Sequence, residues 1–266
     1  SPICYIIHIV KIYINERRIR MRNIKLTIEY DGKDFNGWQK QPNKLNIQGE
    51  IERAIETITG EKVDLIGSGR TDAGVSALGQ VANFKIENNK MPIEKMAYAI
   101  NSQLKKSIRV KKAEEVEESF HSRYTCKKKT YQYTINNSEQ GTAIFRNIQY
   151  HFPLKLDETK MNEAVKYLVG KHDFKSFKAS GTSSKNSVRI IYDAKVTRDG
   201  DLVKIELTGS GFLYNMVRII SGTLVEVGEG KIAPEMVKQI LEKKDRSLAG
   251  KTLPANGLCL MKVDYE

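Results

Sequence analysis

The sequence predicts an α+β fold built as two related halves, and three observations lead there. Apolar residues alternate with polar ones in several short runs, the mark of half-buried strands. Between those runs apolar residues recur every three or four positions, as on the inner face of a helix. Asp199-Gly200 stands between two strand-like runs, which is the turn chemistry of an antiparallel hairpin.

Taken in order, Ile24, Leu26 and Ile28 face one way and Lys25, Thr27 and Glu29 the other, so a strand is expected from Asn23. The polar, turn-rich stretch Tyr30 to Asn46 follows and contains Trp38, the single tryptophan. Asn46 stands as N-cap before a helix striped by Ile47, Ile51, Ala54, Ile55 and Ile58, with Gly60 as its stop. A short strand around Val63 and Leu65 leads into the glycine-rich loop Gly67 to Gly74. Another strand near Val81 to Ile86 and a helix over Pro92 to Leu104 complete the first half.

In the second half Tyr131, Tyr133 and Ile135 alternate on a strand. Asp157 caps a helix carrying Met161, Ala164, Val165 and Leu168, stopped by Gly170. The hairpin joins strands 188–197 and 202–208. Met216, Ile219, Ile220, Leu224 and Val227 stripe a further helix, Pro234 opens the last one, and a final strand covers about Gly257 to Tyr265. Gly228 to Ala233 fits the spacing GxGxxA but follows a helix, so it reads as a C-cap and turn. The expected division is an N-terminal extension outside the fold (1–20), an N-terminal α/β lobe with the glycine-rich loop (21–118) and a C-terminal α/β lobe (119–266).

Charge narrows the function. Lys and Arg number 44 against 32 Asp and Glu, a formal charge of +12, which suggests nucleic acid or an anionic membrane surface as partner. Residues 1–20 hold four basic residues and one acidic, so most of the excess belongs to the body. Their basic residues come last and no small-residue cleavage site follows, unlike a signal peptide; an upstream extension or expression remnant is expected. No apolar run approaches the roughly 18 residues of a membrane span. Cys4, Cys126 and Cys259 lie far apart without a CxxC pair, which reads as a reducing, cytoplasmic setting, and with four His there is little from which to build a zinc site.

The loop Gly67-Ser-Gly-Arg-Thr-Asp-Ala-Gly74 is the most informative stretch. A dinucleotide fingerprint needs a third glycine where Asp72 stands, and a P-loop needs a Gly-Lys-Ser/Thr end. The carboxylate would also repel a phosphate. Taken alone, the loop favours a plain reading, a tight turn in which Asp72 accepts from backbone amides. Tyr131 alone reads as a core or sheet residue. Arg218, the one cation in the apolar segment 211–227, either snorkels to the surface or, if buried, needs a carboxylate partner.

Together these stretches become specific. GSGRTDAGV (67–75), KTYQY (129–133) and NMVRIISGTL (215–224) resemble the three signature segments of the tRNA pseudouridine synthase A family. YDGKDFNGWQKQ (30–41), FHSRY (120–124), GKHDFKSF (170–177) and GLCLMKVDY (257–265) match in the same order. The resemblance covers Asn23 to Tyr265. It implies a homodimer of two-lobed subunits with a basic cleft, tRNA as partner through its anticodon stem-loop, no metal and no cofactor. By the same resemblance Asp72 is the nucleophile, Arg70 assists base flipping, Tyr131 packs on the target uracil and Arg218 pairs with Asp72. One position departs: Ser76 stands where the family usually has His, and it is expected on the loop, within reach of RNA.

Breaking N1–C1′ and rejoining the base through C5 involves no redox change, but it needs a nucleophile that holds one fragment while the base turns. Arg123, Lys127, Lys128, Lys129, Lys171 and Lys178 are candidates to position RNA through its phosphates. Two other classes compete: a catalytically weakened paralogue that binds and remodels tRNA, and a glycosidase or nuclease. The second requires two facing carboxyl groups, and the loop offers only Asp72.

Overall fold

The computed structural model describes residues 21–87, 91–181 and 186–266; the expectation for residues 1–20 lies outside them. Among the described residues, ten strands form one sheet in the order β4-β1-β3-β10-β5-β9-β8-β7, with two short strands, β2 beside β3 and β6 beside β5. β1 (Met21–Tyr30), β3 (Ser76–Glu87) and β4 (Ile108–Val116) come from the first half. β5 (Lys128–Asn136), β7 (Gly170–Asp173), β8 (Val188–Asp199) and β9 (Leu202–Gly209) come from the second. β10 (Leu258–Asp264) runs between them, parallel to β3 and antiparallel to β5. One sheet therefore spans both halves. The short pieces are β2 (Ile66–Gly67) and β6 (Tyr150–His151).

Period-two burial drives the pairing: Ile24, Leu26 and Ile28 on β1 are fully buried, as are Tyr133 and Ile135 on β5. One rung of the sheet sets up the site. Tyr30 pairs with Ala77, Ala77 with Leu260, Leu260 with Tyr131 and Tyr131 with Leu207. Two tyrosines of distant segments thereby share a row.

Helix α1 (Ile47–Thr59) begins and ends where its caps dictate. Asn46 Oδ1 accepts from Gly49 N at 2.8 Å, worth about 1 kcal/mol, and Gly60 turns left-handed with φ 77. α2 (Ile93–Gln103) packs on α1 and β4, and α3 (Glu158–Lys166) on β8. α4 (Met216–Gly228) is buried almost all round, in keeping with its near-continuous apolar sequence, and α5 (Met236–Lys243) closes that side.

Several expectations shift. The short strand falls on Ile66–Gly67 rather than Val63 and Leu65, and β3 starts at Ser76 because β10 pairs with it there. α3 ends at Lys166; Gly170, with φ 115, opens β7 instead of stopping the helix. Pro234 sits in the turn ahead of α5. β4, β6 and β7 were not expected.

Candidate active site

The glycine-rich loop is held by the backbone around it. Ser68 N donates to Val81 O (2.7 Å), Trp38 N to Thr71 O (3.1 Å) and Gly74 N to Phe35 O (3.3 Å), while Val75 N closes onto Asp72 O (3.1 Å). The turn-rich stretch after β1 is therefore a bracket for the loop. Gly37 belongs there because φ is +83 and a Cβ would lie 2.5 Å from Thr71 O. Beneath the loop Tyr30 and Thr71 hydroxyls lie 2.8 Å apart. Gln80, fully buried, donates to Gly69 O (3.1 Å) and accepts from Ser68 Oγ (2.7 Å). Fixing these polar groups on one another fixes the loop.

Asp72 projects from this frame towards Arg218, in the first turn of α4. Arg218 Nη1 lies 3.6 Å from Asp72 Oδ2, within the 4 Å expected of a pair, and the two side chains are 17% and 28% exposed. Arg218 is immobilised: Nε donates to Leu253 O and Nη1 to Asn215 Oδ1, both at 2.7 Å. Asn215 takes a left-handed φ of 58 ahead of the helix and turns its side chain to Arg218 instead of capping. At 3.6 Å the Asp72–Arg218 contact is an ion pair rather than a hydrogen bond. Burial raises the Asp72 pKa above its ordinary value, and Arg218 pulls it back only in part. The result is a poorly hydrated carboxylate beside a fixed cation.

Tyr131 lies buried on β5, its ring edge-on to Phe212 with centroids 5.1 Å apart. Burial raises its pKa, and Tyr30 and the Asp72 charge push the same way, so it is held as the neutral phenol. Tyr133, the second tyrosine of KTYQY, donates to Pro254 O at 2.7 Å and so braces the segment that receives Arg218.

The other expected residues divide. Arg70 is exposed on the loop's outer face, its Nε donating to Gln39 Oε1 at 3.1 Å. Arg123, Lys127 and Lys171 are exposed, and Lys128 lies over the Tyr192 ring. Lys129 departs from a surface cation: its Nζ donates to Ser68 O at 2.7 Å and burial lowers its pKa, so it braces the loop from below. Ser76 also departs from its expected place. It is the first residue of β3, buried, and its Oγ accepts from Gly32 N at 3.0 Å.

Asn215, Gln80, Phe212 and the Leu253 carbonyl were not singled out in the sequence. An Asn ahead of a helix signals a cap, and only its left-handed backbone turns it towards Arg218. Among the described residues, no group of three or more His, Cys, Asp or Glu could hold a metal ion. No helix among them is long and apolar enough to cross a membrane.

Comparison with known proteins gives one consistent answer. A family model described as tRNA pseudouridine synthase matches residues 26–125 and 164–266. The chain is similar to the tRNA pseudouridine synthase A of Acetivibrio thermocellus, 52% identical over 245 residues, which is 92% of this chain and 100% of that protein. The same extent and identity hold for the tRNA pseudouridine synthase A of Caldicellulosiruptor saccharolyticus and that of Clostridium acetobutylicum. A match over most of the chain, with relatives half identical along their whole length, means that this chain belongs to the tRNA pseudouridine synthase family.

Proposed function

We propose that the protein isomerises uridine to pseudouridine in the anticodon stem-loop of tRNA, with Asp72 as nucleophile towards a base flipped out of the RNA. The observation that carries this reading is the partly desolvated Asp72 carboxylate, 3.6 Å from an Arg218 that its own hydrogen bonds hold in place. A carboxylate can add to C1′ or to uracil C6 and leave again, which holds one fragment while the base turns. Arg218 keeps it ionised where burial alone would favour the neutral acid. N1–C1′ breaks, C1′–C5 forms, the C5 proton leaves and N1 gains one, so atoms balance without an oxidant or a cofactor.

Tyr131 and Phe212 would form an aromatic wall for the extruded uracil, and the exposed Arg70 would fill the gap left in the stack. As a neutral phenol, Tyr131 packs more readily than it takes up a proton; the C5 proton goes more easily to water or to Asp72 once its bond to substrate has broken. Arg123, Lys127 and Lys128 supply charge near the start of β5 for RNA phosphates. The protein would work in the cytoplasm as a homodimer. The exposed apolar residues Ile144, Phe145, Ile148 and Leu154 on one surface segment suit a second copy.

The test is carbodiimide labelling of a tRNA transcript after incubation with the purified protein. Pseudouridine in the anticodon arm is the expected result. RNA binding without any isomerisation would favour the weakened, tRNA-remodelling paralogue instead.

A further inference from the structure

Beside the end of α4 that carries Arg218 lies an open depression of about 750 Å³, lined chiefly by Lys175, Lys178, Lys244, Asp245, Arg246 and Thr252. Four cations face one carboxylate, and that carboxylate is already engaged: Asp245 Oδ1 accepts from Ser247 N (2.9 Å) and Ser247 Oγ (2.8 Å). Arg246 is oriented, with Nη1 donating to Ala249 O (3.1 Å) and Nη2 to Thr252 Oγ1 (3.3 Å). A guanidinium has five N–H donors, so capacity for an anion remains after these two bonds. Lys244 stays 54% exposed while its Nζ lies 3.2 Å from Asp173.

Both walls of the depression are tied to the catalytic helix. Ala179 N donates to Tyr214 O (3.2 Å), directly ahead of Asn215. On the other side Leu253, next to Thr252, exchanges backbone and side-chain bonds with Arg218. The depression thus borders the segments that hold Arg218, the partner of Asp72.

We infer that this depression is a second anchoring site for the RNA substrate, holding backbone phosphates of nucleotides adjoining the modified one; this rests on the function proposed above. The shape selects the ligand class. A small phosphorylated molecule binds in a pocket that encloses most of its surface, whereas an open trough with spread point charges suits a polyanionic chain. Lysines contact phosphates without reading bases, so the site sets position and affinity rather than sequence choice.

The experiment compares the parent with Lys175→Gln/Lys178→Gln/Lys244→Gln. A control, Lys105→Gln/Lys106→Gln/Lys111→Gln, removes the same charge beside and on β4, at the opposite edge of the sheet. Affinity for a tRNA anticodon-arm transcript is measured by fluorescence anisotropy at several salt concentrations. The depression variant should lose about two from the slope of log Kd against log salt, at roughly 0.7 per phosphate contact. An unchanged slope in the folded variant overturns the inference, and so does an equal loss in the control. Inorganic phosphate protecting the depression lysines from acylation, with RNA giving no protection, would also overturn it by making this a small-anion site. Binding is read without turnover. A parent that binds the transcript but forms no pseudouridine would sink the proposed function and leave this test standing.

Discussion

Replacing Arg218 with Met tests the electrostatic core of the site. The pair lies at 3.6 Å with side chains 17% and 28% exposed. At an effective dielectric near 20, two unit charges at that distance attract by about 5 kcal/mol, and partial exposure brings this to roughly 2 kcal/mol. Loss of that attraction raises the Asp72 pKa further, so about thirtyfold less carboxylate is ionised at a pH below its titration range, and the factor shrinks within it. The assay is single-turnover pseudouridine formation at saturating enzyme, followed from acidic to mildly alkaline pH. The acid limb should move to higher pH, and the deficit should shrink as pH rises and Asp72 ionises again. Arg218→Met also forfeits the bonds to Leu253 O and Asn215 Oδ1, at about 1–3 kcal/mol of stability, so folding is checked by melting in parallel. A deficit of the same size at every pH, in folded protein, would refute the reasoning and leave Arg218 a purely structural role.

Asp72→Asn should abolish turnover and keep RNA affinity, read by single-turnover and binding assays on one preparation. Because burial raises the Asp72 pKa, its contribution to stability is full below the unfolded value and is lost as pH rises through the folded one. The Asn variant should therefore melt above the parent at neutral pH, an advantage that disappears near pH ~3, below the ordinary Asp value. Gly37→Ala places a Cβ 2.5 Å from Thr71 O at a φ of +83 and should cost on the order of 1–3 kcal/mol in denaturant titration, with turnover falling as the loop shifts. Gln80→Leu removes the partners of Ser68 Oγ and Gly69 O; a similar loss in the same titration, with kcat reduced more than KM, is expected, and unchanged kcat would free the loop from this support.

Much of the fold was legible because local physics specified it. The alternation around Ile24 to Ile28, the Asn46 and Gly60 caps and the Asp199-Gly200 turn each act within a few residues. β4 was missed because an edge strand hides little: only Ile108 and Val110 are buried, and the stretch 111–115 is charged apart from Ala113. β7 is four residues long, too short for a period to show. The order of strands was hidden as well, since placing β10 between β3 and β5 depends on contacts far apart in the chain. Within the site, the resemblance pointed to Asp72, Tyr131 and Arg218, and geometry brought Asp72 and Arg218 together. Lys129 and Ser76 show the limit. A lysine after two others looks like solvated charge, and only the folded chain shows Lys129 turned inward to Ser68. Ser76 looked like the end of the loop, but pairing with Cys259 makes it the start of a buried strand.

The central position of β10 has a consequence in time. A ribosome makes both halves of the sheet before the strand that unites them, so β3 and β5 have no common neighbour until residues 258–264 emerge. Leu253, whose carbonyl fixes Arg218, arrives only just before them. A nascent chain can thus carry the Asp72 loop and the Arg218 helix and still lack the register that makes them one site. Activity is expected only once the closing strand is in place, and a chain cut short of it should leave β3 and β5 with unpaired edges.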